Sequence, residues 1–159
     1  MLATDVMRTW FATVKADAPL LDAVHLLLET NQRGLPVIDD NGPLVGVISE
    51  GDFLHRREMG VTCSAGFLLE WLLGREKGQL VRERMQALQV DAVMTRNPVC
   101  VDEKATVDEV VGRMDDHQIS QVLVVRNGRL VGIVGRMQLL TALERCLSRQ
   151  NRQKSPSSR

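Results

Sequence analysis

Residues 35–54 read LPVIDDNGPLVGVISEGDFL and residues 122–140 read VLVVRNGRLVGIVGRMQLL, one pattern written twice. In each stretch two almost continuously apolar runs flank a turn, Asp40-Asn41-Gly42 in the first and Asn127-Gly128 in the second. Asn-Gly between apolar runs is the strongest short-range hairpin signal, because both central residues of the tight turn need positive φ. The correspondence extends outward. Val6-Met7 matches Val93-Met94 at an offset of 87, as do Ala18 with Ala105, Ala23 with Val110 and Val37-Ile38 with Val124-Val125. Past the turn the offset becomes 86, pairing Gly42, Leu44-Val45-Gly46 and Leu54 with Gly128, Leu130-Val131-Gly132 and Leu140.

Each copy reads strand, helix, strand, hairpin turn, strand, helix. Pro19 opens the first helix, where its missing N–H costs nothing, and Leu20, Ala23, Val24, Leu27 and Leu28 form the apolar stripe. In the second copy Pro98–Val101 is a short strand, and Thr106 with Glu109 forms a capping box for a helix running to His117. A unit of about 50 residues builds little core alone, and two copies are too few for a solenoid, so the copies are expected to pack as a pair. The organisation is therefore α/β (α+β): a first unit over 1–54, a helical insertion over 55–90, a second unit over 91–147 and a disordered basic tail over 148–159. The insertion carries GFLLEWLLG at 66–74 and an apolar stripe over 80–88; the tail has four basic residues and no acidic one.

Composition narrows the function. The 159 residues hold 20 Lys+Arg against 20 Asp+Glu, with two Trp, three Phe and no Tyr, so neither a global basic field nor a set of stacking platforms favours nucleic acid. Cys63, Cys100 and Cys146 are odd in number and widely spaced, unlike a metal knuckle or a disulfide framework, and fit a reducing cytoplasm. The opening MLATDVMRTW does not read as a secretory signal, and residues 66–74 fall far short of the roughly 20 needed to span a bilayer. No membrane association is expected. Three histidines, His25, His55 and His117, lack ligand spacing, and Cys100 has no base nearby in sequence, so no catalytic activity and no metal are expected.

The segment that carries chemistry is Gly46–Asp52, GVISEGD. A strand runs into Ser49 and the chain turns into a helix with Asp52 in its first turn. A hydroxyl and helix-start N–H groups there suit a phosphate, and a carboxylate three residues on can accept two hydrogen bonds from a ribose diol. The same residues also make a plain capping box, Ser49 capping and Asp52 closing it. Both readings stand, and they are compatible.

The repeat, with its openings DVMRT and AVMTR, its LPVID strand and its GVISEGDFL ending, resembles a tandem pair of CBS domains, a Bateman module. The resemblance implies a three-stranded sheet with two main helices in each copy, the copies packed with pseudo-twofold symmetry, and clefts that in many members take AMP, ADP, ATP or S-adenosylmethionine. By that resemblance Asp52 would hold the ribose hydroxyls, Ser49 a phosphate oxygen, and Val47 with Ile48 the apolar wall by the adenine. Arg33 would face phosphate, and Val99, Cys100, Ala105 and Val122 of the other copy would complete the cleft. Copy two departs from the pattern: Gly135 stands for the hydroxyl and Gln138 for the carboxylate, so the second cleft, with Thr13, Val14, Ala18 and Gln138, is expected to be weaker or empty. Arg136 offers an anion contact there, though a solvated arginine is the simpler reading. The resemblance thus implies a regulatory module that senses an adenine nucleotide, acting through a homodimer or a regulated protein that the sequence does not name. The alternative is a structural dimerisation module without a metabolite.

Overall fold

The computed structural model describes residues 1–55 and 86–153; the expected insertion helices over 66–74 and 80–85, Cys63 and residues 154–159 lie outside the described residues. In chain order the first elements are α1 (Ala3–Val6), β1 (Val14–Lys15), α2 (Leu20–Thr30), β2 (Gly34–Ile38), β3 (Leu44–Ser49) and α3 (Glu50–His55). A 3-10 turn at Val90–Ala92 leads to β4 (Thr95–Arg96), β5 (Cys100–Asp102), α4 (Val107–Asp116), β6 (Gln121–Arg126), β7 (Arg129–Gly135) and α5 (Arg136–Gln153). They form two compact units: Phe11–Pro98, and Met1–Trp10 together with Val99–Arg159.

In the first unit the sheet order is β1-β2-β3-β4, with β1 parallel to β2 and the other neighbours antiparallel. In the second the order is β5-β6-β7, with β5 parallel to β6 and β6 antiparallel to β7. The repeat is visible down to its irregularities. Both hairpins shift register at matching positions, Val37/Ile38 and Val124/Val125. The tight turn of the second has Asn127 at φ 51° and Gly128 at φ 75°, the double positive φ its sequence anticipates. Asn31 and Gln118 close α2 and α4 in the left-handed conformation at equivalent places. Thr106 and Glu109 form the expected capping box: the Glu109 N–H donates to Thr106 Oγ1 at 3.2 Å, and the Thr106 N–H donates to Glu109 Oε2 at 2.6 Å. These bonds, the backbone one foremost, hold the Glu109 carboxyl below the usual glutamate range.

The cores are aliphatic. Leu20, Ala23, Leu35, Val37, Ile48 and Val90 are buried together in the first unit, and Ala3, Val110, Val122, Val124 and Val134 in the second. Two buried residues come from unexpected places. Val90, near the end of the insertion, is anchored as its N–H donates to the Ala18 carbonyl at 2.9 Å, and Ala3 belongs to the copy-two core through its N–H bond to the Ala105 carbonyl at 2.7 Å.

Where the resemblance implies three strands, the first sheet has a fourth, because the openings of the repeats are exchanged. Thr95–Arg96 of the AVMTR opening pairs with β3 of copy one (Val47↔Thr95, Gly46↔Arg96), while Arg8 of the DVMRT opening bridges Ile133 in β7 of copy two. The exchange explains two glycines. A Cβ on Gly46 would lie 2.6 Å from Met94 Sδ and 2.9 Å from the Thr95 carbonyl oxygen, and a Cβ on Gly132 would overlap Met7 Sδ and Cγ. Gly46→Ala is therefore expected to destabilise the fold by about 1–3 kcal/mol, as overpacking against backbone does, with the denaturant midpoint as the readout.

The second difference lies at the end. The tail expected to be disordered from 148 is helical to Gln153, because the helix-forming run SRQNRQ continues α5 and meets no breaker before Pro156.

Candidate functional site

The end of β3 and the start of α3 place Ser49 and Asp52 together. The Ser49 N–H donates to Asp52 Oδ2 at 2.8 Å and the Ser49 hydroxyl donates to the same oxygen at 3.2 Å. Asp52 is only 8% exposed, and its bond from the Ser49 N–H is the half of the expected capping box that the carboxylate closes. A third donor comes from the exchanged opening: Thr95 Oγ1 lies 3.4 Å from Asp52 Oδ1. Sequence reasoning missed Thr95; the only signal for it was the repeated opening around Val93-Met94.

Arg33 sits beside this turn. Gly34 pairs with Ser49 across the sheet, and the Arg33 carbonyl accepts from the Glu50 N–H at 3.2 Å, leaving the Arg33 side chain exposed. Among the described residues it makes no ion pair. Val47 is half-buried, but Ile48 is wholly buried in the core. Of the residues expected on the weaker cleft's wall, Val14 is a core residue, Ala18 packs against that core, and Thr13 is half-buried next to them. A further residue missed in sequence positions this strand. Gln32 is buried, its Oε1 accepting the Ala12 N–H at 2.6 Å while its Nε2 donates to the Ala12 and Gly34 carbonyls, each at 3.2 Å.

The other expected residues lie in the second unit. Cys100 opens β5 half-buried, Val99 precedes it half-buried, Ala105 packs against the core and Val122 is wholly inside it. Burial raises the Cys100 thiol above the usual range. Gln138 occupies in α5 the position Asp52 holds in α3, and its Oε1 accepts the Gly135 N–H at 3.0 Å. Copy two therefore keeps the cap and loses the charge. Glutamine closes a capping box as well as glutamate, a signal present in the sequence. Arg136 is exposed at the first residue of α5. Among the described residues no group of three or more His, Cys, Asp or Glu side chains could hold a metal, and no helix is long and apolar enough to cross a membrane.

A small mixed sheet whose last strand turns into a side-chain-capped helix, present twice in tandem, defines a paired domain. The sequence matches the CBS domain family over residues 3–58 and 90–145, and the chain belongs to that family. It is 30% identical over 156 residues to a protein of Methanocaldococcus jannaschii, covering 90% of this chain and 91% of that one. A second protein of that organism, 27% identical over 128 residues, is much longer: the chain spans 25% of its length. Among solved structures it resembles the CBS domain of a CBS-domain-containing membrane protein from Sphaerobacter thermophilus, with 29% identity, TM-score 0.72, and 89% of this chain and 86% of that one covered. It also resembles the CBS-pair protein CBSX2 from Arabidopsis thaliana, with 26% identity, TM-score 0.75, and 92% and 96% covered. CBSX2 has also been solved in complex with AMP; against that structure the identity is 26%, the TM-score 0.69, and the cover 91% and 97%.

Proposed function

We propose that the chain is a regulatory module that senses an adenine nucleotide, AMP, ADP or ATP, through its copy-one site. The observation that carries this reading is the buried Asp52 carboxylate, held by Ser49 at the start of α3, where the equivalent position of copy two has the neutral Gln138. A carboxylate can accept two charge-assisted bonds from a ribose diol; an amide offers one neutral acceptor. In this reading Asp52 takes the ribose, the long Thr95 bond giving way, while Ser49 and Arg33 meet phosphate and Val47 lines the adenine with the backbone of Ile48. By the family resemblance Val99, Cys100 and Ala105 would complete the cleft, and Thr13, Ala18 and Gln138 a weaker one; Val122 and Val14, buried in their own cores, would offer backbone alone. The AMP complex of CBSX2 supports the ligand class. Ser49 and Asp52 are engaged with each other at the helix start, and in this reading they bind the nucleotide without transforming it. Binding would act by favouring one arrangement of the module over another, in a cytoplasmic homodimer or on a regulated protein.

Calorimetry of the full chain with AMP, ADP, ATP and GMP tests this. One base-selective site per chain, saturable by adenosine phosphates and discriminating against GMP, is expected, apart from any phosphate-only binding that AMP and GMP share; no base-selective binding at millimolar ligand would replace the proposal with the structural dimerisation module. That second reading draws on one observation, that Ser49 and Asp52 are already engaged with each other as a helix cap.

Two further outcomes follow. Met137, Leu140, Leu143 and Leu147 are each more than half exposed along α5 and supply an apolar stripe for a homodimer. Sedimentation at tens of micromolar should then show more than the 17.7 kDa single chain, and a single-chain mass would exclude the dimer. Cys100, half-buried with a raised thiol pKa, should be alkylated at pH 7 more slowly than the exposed Cys146, the gap closing as pH rises and the Cys100 thiolate forms. AMP should slow Cys100 further and leave Cys146 unchanged, as read by peptide-resolved mass spectrometry.

A further inference from the structure

The second unit contains a depression of about 250 Å³ between the opening segment and α5, lined by Val6, Met7, Arg8, Gln138, Ala142 and Arg145 among others. We propose that it is an anion site that takes a phosphomonoester, independent of the Asp52 site and formed wholly within the second unit.

Four observations carry this. The first is charge: among the described residues two guanidinium groups line the depression and no carboxylate does, a balance suited to a dianion. The second is an orphaned donor. Arg8 Nε is buried and has no hydrogen-bond partner among the described residues, although the Arg8 backbone is fixed on both sides, its N–H donating to the Ile133 carbonyl at 2.8 Å and its carbonyl accepting the Ile133 N–H at 3.0 Å. A buried N–H left unpaired is costly, and an anionic oxygen satisfies it with a charge-assisted bond. The third is the orientation of Gln138. Its Oε1 accepts the Gly135 N–H, so its Nε2 remains as a donor at the first turn of α5, where the helix dipole also favours negative charge. Thr141 adds no donor, since its hydroxyl is committed to the Met137 carbonyl at 2.9 Å. The fourth is shape. Gln138, Ala142 and Arg145 lie on one face of α5 at helical spacing, and Val6, Met7 and Met137 provide apolar walls for the organic part of a phosphate ester.

The residue that corresponds to Arg8 at the copy-one helix start is Thr95, from the exchanged opening of copy two, which bonds Asp52. Replacing threonine by Arg8 and aspartate by Gln138 therefore turns one hydroxyl–carboxylate pair into a pair of donors. The two substitutions belong together: an arginine opposite an aspartate would form an internal ion pair and close the site to anions.

Titration of the full chain with inorganic phosphate and with phenyl phosphate, at constant ionic strength and with chloride as the control, tests the proposal. Amide shifts of α5 should report saturable binding of both phosphates, phenyl phosphate several-fold tighter, and no saturation by chloride. Arg145→Gln, at an exposed position that should fold normally, should weaken phosphate at least about fivefold, the loss expected for one charge-assisted bond, and Arg8→Gln should weaken it further. Phosphate shifts that track ionic strength alone, or an Arg145→Gln chain that binds as the wild type does, would overturn the site. Loss of phosphate binding in Arg33→Gln, which removes the cation proposed for phosphate at the copy-one site, would assign the anion to that site instead.

Discussion

Asp52→Ala is expected to weaken adenine-nucleotide binding by about 1–3 kcal/mol, roughly 5- to 150-fold in the dissociation constant, the scale of lost charge-assisted bonds to a ribose diol. The same substitution removes the acceptor of the Ser49 N–H, so a stability loss of about 0.5–2 kcal/mol accompanies it, as for other helix caps. Asp52→Asn separates the two effects. Asparagine keeps a carbonyl oxygen for the Ser49 N–H and an amide that can face Thr95 Oγ1, and the apo chain should lose less than about 1 kcal/mol. Its nucleotide affinity should still fall, because the charge and the second acceptor are gone. Calorimetry and thermal unfolding on both variants distinguish the outcomes. Affinity unchanged in Asp52→Asn would move the nucleotide away from this site.

The second large effect is a gain. Copy two has the helix start, the capping bond from Gly135 to Gln138 and the hairpin of copy one, and lacks a hydroxyl and a carboxylate. A Cβ on Gly135 would meet Gln138 Oε1 at 3.1 Å and the Ser120 carbonyl oxygen at 3.6 Å, so the side chain of a serine fits once Gln138 is shortened. The double variant Gly135→Ser/Gln138→Asp should raise the calorimetric stoichiometry from one nucleotide per chain towards two, each restored charged bond contributing about 1.5–3 kcal/mol. The pairing of Arg8 with the new aspartate should at the same time abolish phosphate binding at the α5 depression. A stoichiometry that stays at one would show that a hydroxyl and a carboxylate at positions 135 and 138 do not by themselves make a nucleotide site.

Much of this was legible in one dimension because it rests on contacts close along the chain. The doubled hairpin, the Asn127-Gly128 turn, the Thr106-Glu109 box and the Ser49–Asp52 cap each depend on residues at most a few positions apart, so alternation, turn chemistry and capping spacing are enough to find them. Gln138 as a cap was equally legible, since glutamine at that position is a capping residue. The exchange of the openings was not. Val6-Met7 and Val93-Met94 look alike, and an apolar pair carries no mark of which copy it will pack against. The choice is made by close packing over long separations, Met94 against Gly46 and Met7 against Gly132, and it delivers Thr95 to Asp52 across 43 positions. The α5 depression is of the same kind. Arg8 and Arg145 are ordinary surface cations in the sequence, and only the seating of the opening segment on β7 strips Arg8 Nε of water and sets it beside the first turns of α5. Sequence by itself determined the units, their turns and the charge difference between their two helix starts; the tertiary structure decided which groups meet, because that depends on shape complementarity between segments that no local pattern relates.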